Sequence, residues 1–244
     1  MKAALLAATA VASVFAFPSS ASATLSIAFQ NGASTFACQD GQFCDLAGPT
    51  ANLLVLNRQI GAFSVEGSFA ESGLRTLSDS NLTITNTSGA TATLVFTVGD
   101  TGFSPPVHFI SMSGSGTVEN SIGGSGSLSF HADTLNRQGG VLFGGVPTAP
   151  GTLLFNPSAT FTTDPFAFEG NDIHALFTAG GPFSMALDYS FTVPAGGKIV
   201  GLESAMTTSA IPEPRTWVMG MIGFGLLAIL GWRRKAKPSR FAVL

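Results

Sequence analysis

The chain reads as an all-β protein: a single β-sandwich, jelly-roll-like, set between an N-terminal export signal and one C-terminal transmembrane helix. Three observations predict this. Apolar residues recur with period two through the middle of the chain, Gly, Pro and Asn turns interrupt them, and an uncharged apolar segment stands near each end. Size and composition agree. The 244 residues leave room for one moderate domain, and only 10% are charged while Gly numbers 29 and Phe 21, which excludes a charge-rich disordered tail.

Residues 1–23 have the form of a secretory signal peptide. Lys2 is a thin positive start, residues 3–17 are an apolar run, and Pro18, Ser19 and Ser20 lead to the small-residue site Ala21-Ser22-Ala23, so cleavage is expected before Thr24. A run this short with a small-residue exit is removed rather than kept as a membrane helix. Residues 24–210 are therefore the expected exported domain, folding outside the cytoplasm.

Within that domain the clearest alternation is Phe183, Met185, Leu187, Tyr189, Phe191 and Val193 on one face, with Ser184, Asp188, Ser190 and Thr192 opposite. This is the pattern of a half-buried strand. Pro194-Ala195-Gly196-Gly197 supplies a turn, after which residues 198–206 are expected to return as the hairpin partner. A second hairpin is expected from residues 81–86, a turn at residues 87–90, and residues 91–98, where Leu94, Phe96 and Val98 share a face. Shorter alternations stand at Leu25-Ile27-Phe29, Phe63-Val65, Val107-Phe109 and Leu128-Phe130. Nothing in the body sustains a helical period. The Gly/Ser-rich residues 111–129 read equally as a flexible loop or as glycine-bearing edge strands, and residues 205–211 as the linker to the membrane.

Candidate chemical groups are few. Cys38 and Cys44 are the two cysteines, and oxidising export compartments favour a disulfide between them, with Asp40-Gly41 as a turn that brings them together. Their spacing is not Cys-x-x-Cys and no histidine is near, so no metal site is expected. His108, His131 and His174 are scattered and no nucleophile or nucleotide motif surrounds them. Asp164, Glu169 and Asp172 form the densest acidic group, read as a solvated loop whose oxygens are also of the kind that bind Ca²⁺. No residue is assigned a catalytic role, and no cofactor is expected.

Residues 217–232 are sixteen positions without a charge, bounded by Trp217 and Trp232 and followed by Arg233, Arg234, Lys235, Lys237 and Arg240. As a helix they span about 24 Å, short of the roughly 30 Å hydrocarbon core but able to cross if the flanking cations snorkel. The basic cluster fixes the tail in the cytoplasm. Over residues 24–210, by contrast, Arg58, Arg75, Arg137 and Lys198 stand against thirteen carboxylates, a net charge of −9. Nucleic acid is excluded as a partner of a body so acidic.

Directly before the apolar segment stands Ile211-Pro212-Glu213-Pro214-Arg215-Thr216-Trp217. Pro-Glu-Pro, a short Gly-rich apolar helix and an arginine-rich end, in that order, resemble the PEP-CTERM motif of Gram-negative bacteria over about the last thirty residues. The resemblance implies a sorting motif at Pro212, Glu213, Pro214 and Trp217, a membrane stop at Arg233, Arg234 and Lys235, and recognition by an exosortase, a membrane-embedded cysteine transpeptidase. The two prolines also block helix entry and hold an extended, solvated segment at the membrane surface. Residues 211–240 are thus the expected sorting and anchor segment, with motif 212–214, helix 217–232 and basic tail 233–240.

The same signature is sometimes labelled after ice-binding proteins. A flat ice-binding face needs Thr-x-Thr rows repeated along a solenoid, and Thr83-Ile84-Thr85 with Thr91-Ala92-Thr93 do not make one. The expected function is that of a non-enzymatic surface or extracellular-matrix protein, anchored in the inner membrane and then sorted to the surface, in an exopolysaccharide or biofilm context. The alternatives are a carbohydrate- or Ca²⁺-binding module, or a β-sandwich hydrolase acting on polysaccharide.

Overall fold

The computed structural model describes residues 25–209, apart from 49, 73–74 and 105–106 and the side chains of residues 71–72 and 171–172. The expected signal peptide, with Lys2 and the cleavage site before Thr24, and the sorting and anchor segment, with Pro212, Glu213, Pro214, Trp217, Arg233, Arg234 and Lys235, lie outside the described residues.

Fifteen strands and their turns make up the described residues, which contain no helix: β1 Ser26–Asn31, β2 Ser34–Gln39, β3 Leu53–Ile60, β4 Phe63–Ser72, β5 Thr76–Asn86, β6 Ala92–Phe103, β7 Val107–Glu119, β8 Ser125–Asp133, β9 Val141–Phe143, β10 Val146–Thr148, β11 Thr152–Phe155, β12 Ser158–Thr160, β13 Phe166–Ala179, β14 Phe183–Val193 and β15 Lys198–Ser209. Thirteen of them form a sandwich, and β9 and β10 pair with each other as a separate hairpin. One sheet runs β11-β8-β14-β6-β1-β2 with β12 also on β8, and the other runs β13-β7-β15-β5-β4-β3. The pairings are antiparallel throughout.

Alternation explains why the sheets face each other. Every second side chain of β14, from Phe183 to Val193, is buried in the core with Leu94, Phe96 and Val98 of β6. Register then aligns these side chains across strands. Phe36, Phe29, Phe96, Tyr189 and Leu128 form one row over β2, β1, β6, β14 and β8. Along it the rings of Phe29 and Phe96 stack at 5.1 Å and those of Phe96 and Tyr189 at 4.3 Å, close enough to add to simple area burial.

Both expected hairpins are corrected by the topology. Strands β14 and β15 do not pair, and neither do β5 and β6: each turn carries the chain from one sheet to the other. A hairpin would leave two apolar faces on the same side of one sheet, whereas an arch lets the faces bury each other. Asn86 secures both arches. Its buried Nδ2 donates to Ala90 O at 2.8 Å, Val193 O at 2.8 Å and Pro194 O at 3.0 Å.

Other expectations change as well. Residues 111–129 are strand on either side of a short turn at 120–124, and not edge strand, because β7 lies between β13 and β15, and β8 between β14 and the strands β11 and β12. Residues 205–209 are the end of β15 rather than linker, with Ser209 in register with Phe109. The acidic group is not one loop, since Glu169 stands in β13.

Candidate functional site

Among the described residues, glycine makes room for a feature of the sandwich that resembles a receptor. In the β13-β7-β15-β5 sheet, Gly170, Gly114, Ser204 and Asp79 share one register row. Two adjacent positions therefore lack side chains at the edge of the sheet. On the facing sheet, Gly126 of β8 leaves room for Phe191, whose ring would lie 2.7 Å from an added Cβ, and on β7 itself Gly116 does the same for Phe168 at 2.6 Å. Rings covering strand glycines restore the packing that glycine forfeits.

The result is a cleft of about 170 Å³ between β7 and β13 on one side and β8, β11 and β12 on the other. Phe130, Phe155, Phe161, Phe168 and Phe191 line it, and Glu169 is the carboxylate among its lining residues. It opens at the lateral edge of the sandwich, where β13 is the last strand of one sheet and β11–β12 end the other. Inward it closes on Leu128, whose methyl occupies the space over Gly114 beside Ser204 Oγ.

Next along that row is a buried polar contact that ties the sheets together. Tyr189 Oη, from one sheet, donates to Asp79 Oδ1, from the other, at 2.9 Å. Burial drives the Asp79 carboxyl up to about 7, against the opposing pull of the Tyr189 hydrogen bond. Burial likewise holds the Tyr189 phenol well above its ordinary value. Ser204, next to Asp79 in the row, also approaches this carboxyl and weakens the rise. An uncharged carboxyl is the form such a site tolerates.

The opposite lateral edge, β2 and β3, is closed by the loop that joins them. Cys38 and Cys44 are disulfide-bonded there, with Cα atoms 6.0 Å apart. Asp45 fastens the same loop from inside: its carboxylate accepts from Gly41 N at 3.1 Å, Ala47 N at 2.9 Å and Val55 N at 2.9 Å. Asp40 accepts from Asn52 N at 2.6 Å. Between the two cysteines Phe43 points outward, 96% exposed.

The histidines are not brought together. His174 Nδ1 lies 2.9 Å from Ser111 Oγ on the neighbouring strand, while His131, half-buried on β8, is held below its usual range by burial. Asp164 accepts from Asn120 N at 2.9 Å, and the side chain of Asp172 lies outside the described residues. Among the described residues no three His, Cys, Asp or Glu side chains are grouped to hold a metal ion. Sequence reasoning missed the cleft and the Asp79–Tyr189 contact, although glycines at alternating strand positions were the visible sign of the first.

Comparison with known proteins adds information on the tail alone. No curated protein matches the chain. Among solved structures, TmCBM61 in complex with β-1,4-galactotriose aligns with a TM-score of 0.31 and 9% identity, over 61% of this chain and 90% of its own. Arthrobacter globiformis T6 isomalto-dextranase complexed with panose aligns at 0.27 and 13%, over 63% of this chain and 23% of its own. Likeness at this level says nothing of ligand or activity. Residues 210–235, however, match the family described as the PEP-CTERM protein-sorting motif. The chain is therefore an exported protein that carries a PEP-CTERM sorting motif, the signal that an exosortase recognises.

Proposed function

We propose that the protein is a non-enzymatic component of the cell surface or extracellular matrix, delivered in three stages by three parts of its chain. Residues 1–23 direct export, residues 217–232 hold the chain in the inner membrane with Arg233, Arg234 and Lys235 as the stop, and Pro212-Glu213-Pro214 with Trp217 present it to an exosortase. The sandwich of residues 24–210 is the delivered cargo, acting in an extracellular polysaccharide setting. The sorting motif at residues 210–235 is the observation that carries this reading. The cleft's lining of phenylalanine and glycine, suited to apolar packing, is compatible with it.

Two changes to the tail separate sorting from anchoring. Replacing Pro212, Glu213 and Pro214 by Ala leaves the apolar run and basic stop in place, so full-length protein is expected to accumulate in the inner membrane. Ending the chain at Ala210 is expected to release the sandwich as soluble exported protein. Fractionation and intact mass distinguish these from the processed wild type. An identical intact C-terminus at Leu244 in wild type and triple-Ala protein, in cells containing an exosortase, would leave the tail as an ordinary anchor.

A further inference from the structure

We propose that, while the chain is anchored, the sandwich rests on the lipid surface by one end, with the exposed side chains of Phe43, Leu46 and Leu135 seated in the lipid interface. This rests on the anchor reading of residues 217–232 and adds the surface that faces the membrane.

Register fixes which end this is. Ser209, the last residue of β15, pairs with Phe109 of β7, and Thr207 pairs with Thr76 of β5, so the chain leaves the sandwich where β5 and β7 begin. The connections from β6 to β7 and from β13 to β14 join the two sheets at this same end. In the other sheet Ser26, where β1 starts, is in register with Gln39, where β2 stops, and Asp133, where β8 stops, with Ser184 of β14. The loop of residues 40–52 and the segment after β8 therefore lie here too.

Exposed apolar side chains gather at this end. Phe43 and Leu46 stand on the loop of residues 40–52, Leu135 stands just beyond β8, and Leu176 is in register with Phe109 beside the exit at Ser209. Ile122 is also exposed but stands at the opposite end, in the turn from β7 to β8. Strands β2 and β8 are four positions apart in their sheet, roughly 19 Å. Phe43 and Leu135 are thus spread along a rim rather than grouped round a pocket. A plane meets such a rim at once, and lipid is the plane to which the tail leads.

The tether sets the distance. From Ser209 to Trp217, where the expected helix starts, the chain reaches at most about 29 Å when fully extended. The opposite end lies roughly 36 Å farther off, the length of the 11-residue β14. Held so near, an apolar contact too weak to form from solution becomes intramolecular and forms. Without the tether a few side chains hold a protein to lipid only weakly, which agrees with the soluble product expected of a chain ending at Ala210.

The loop is built to enter such a layer. The Cys38–Cys44 bond fixes its form, Asp45 accepts from the N–H groups of Gly41, Ala47 and Val55, and Asp40 accepts from that of Asn52. Donors already held inside the fold lower the cost of bringing backbone to the edge of hydrocarbon. Charge does not drive the contact. Arg75 and Arg137 at this end are outnumbered by Asp40, Asp45, Glu71, Asp100 and Asp133, of which Asp45, Asp100 and Asp133 are buried. Uncharged lipid is therefore the expected surface, and added salt should not release it.

The test uses the full-length chain, tail intact, reconstituted into phosphatidylcholine vesicles that contain nitroxide-labelled lipid. An environment-sensitive fluorescent amino acid replaces Phe43, Leu135 or, as the control, Ile122. Flotation with the vesicles shows first that the tail anchors the chain. Quenching at positions 43 and 135 is expected to exceed that at position 122 by about threefold or more, because seating at the headgroup boundary brings the probes to the nitroxides, and to persist in high salt. Leu46→Ser with Leu135→Ser, both at exposed positions, should lower quenching at position 43 towards the level at 122. Equal quenching at the three positions in protein that floats overturns the proposal and leaves the anchor reading standing, whereas protein that does not float overturns both. Shielding at 43 or 135 that arises only with co-reconstituted exosortase assigns this end to the enzyme and likewise overturns the proposal.

Discussion

Asp79 shows how one buried group gives the whole sandwich a pH dependence. Its carboxyl titrates near 7 in the folded protein and near 3.8 when exposed, so the folded state holds a proton that the unfolded state has released. Stability is therefore fullest below about pH 4 and declines as pH rises towards 7, by about 4 kcal/mol at most. Asp79→Asn keeps an acceptor for Tyr189 and should flatten most of that decline, seen as a smaller difference between urea midpoints at pH 4.5 and pH 8. Some slope remains. Asp188, raised by burial against the Thr97 hydrogen bond, acts in the same direction, whereas Asp133, lowered by Arg137 despite its own burial, acts in the opposite one. An unchanged slope in the Asn variant would remove Asp79 as the cause.

Between elements the decisive residues are those that join strands or make room for them. Asn86 serves three carbonyls at the ends of both arches, and Asn86→Ala leaves these buried acceptors short of a donor. A loss of roughly 3 kcal/mol is expected by urea denaturation. The glycines divide by what faces them. Gly126→Ala drives a methyl into the Phe191 ring and should destabilise by about 1–3 kcal/mol, while Gly170→Ala, with open space at its Cβ, should be nearly neutral. Equal effects at the two positions would contradict the packing described. Alternation made β14 legible in the sequence, as it did Leu94, Phe96 and Val98 of β6. Glycine left β7 and β8 only partly legible, at Val107-Phe109 and Leu128-Phe130, because a residue without a side chain carries no period.

At the scale of the molecule the last two strands are central: β14 lies between β6 and β8, and β15 between β5 and β7. A chain ending at residue 182 should accordingly lose both sheets together and become protease-sensitive, whereas one ending at Ser209 retains them. Survival of a cooperative fold without β14 and β15 would show that the arches are appendages. Removing the Cys38–Cys44 bond by Cys38→Ser is milder, about 2 kcal/mol for so short a loop.

The all-β class and the sorting tail were legible in consecutive residues, because alternation and the Pro-Glu-Pro, apolar and basic run are local patterns. Which strands are neighbours emerged from the packing of the folded chain. A turn of four residues serves a hairpin and an arch alike, and the choice is made by where two apolar faces bury. The cleft and the Asp79–Tyr189 contact come from that same choice. Gly170 meets Gly114, and Tyr189 reaches Asp79, across separations in the chain that no local pattern spans.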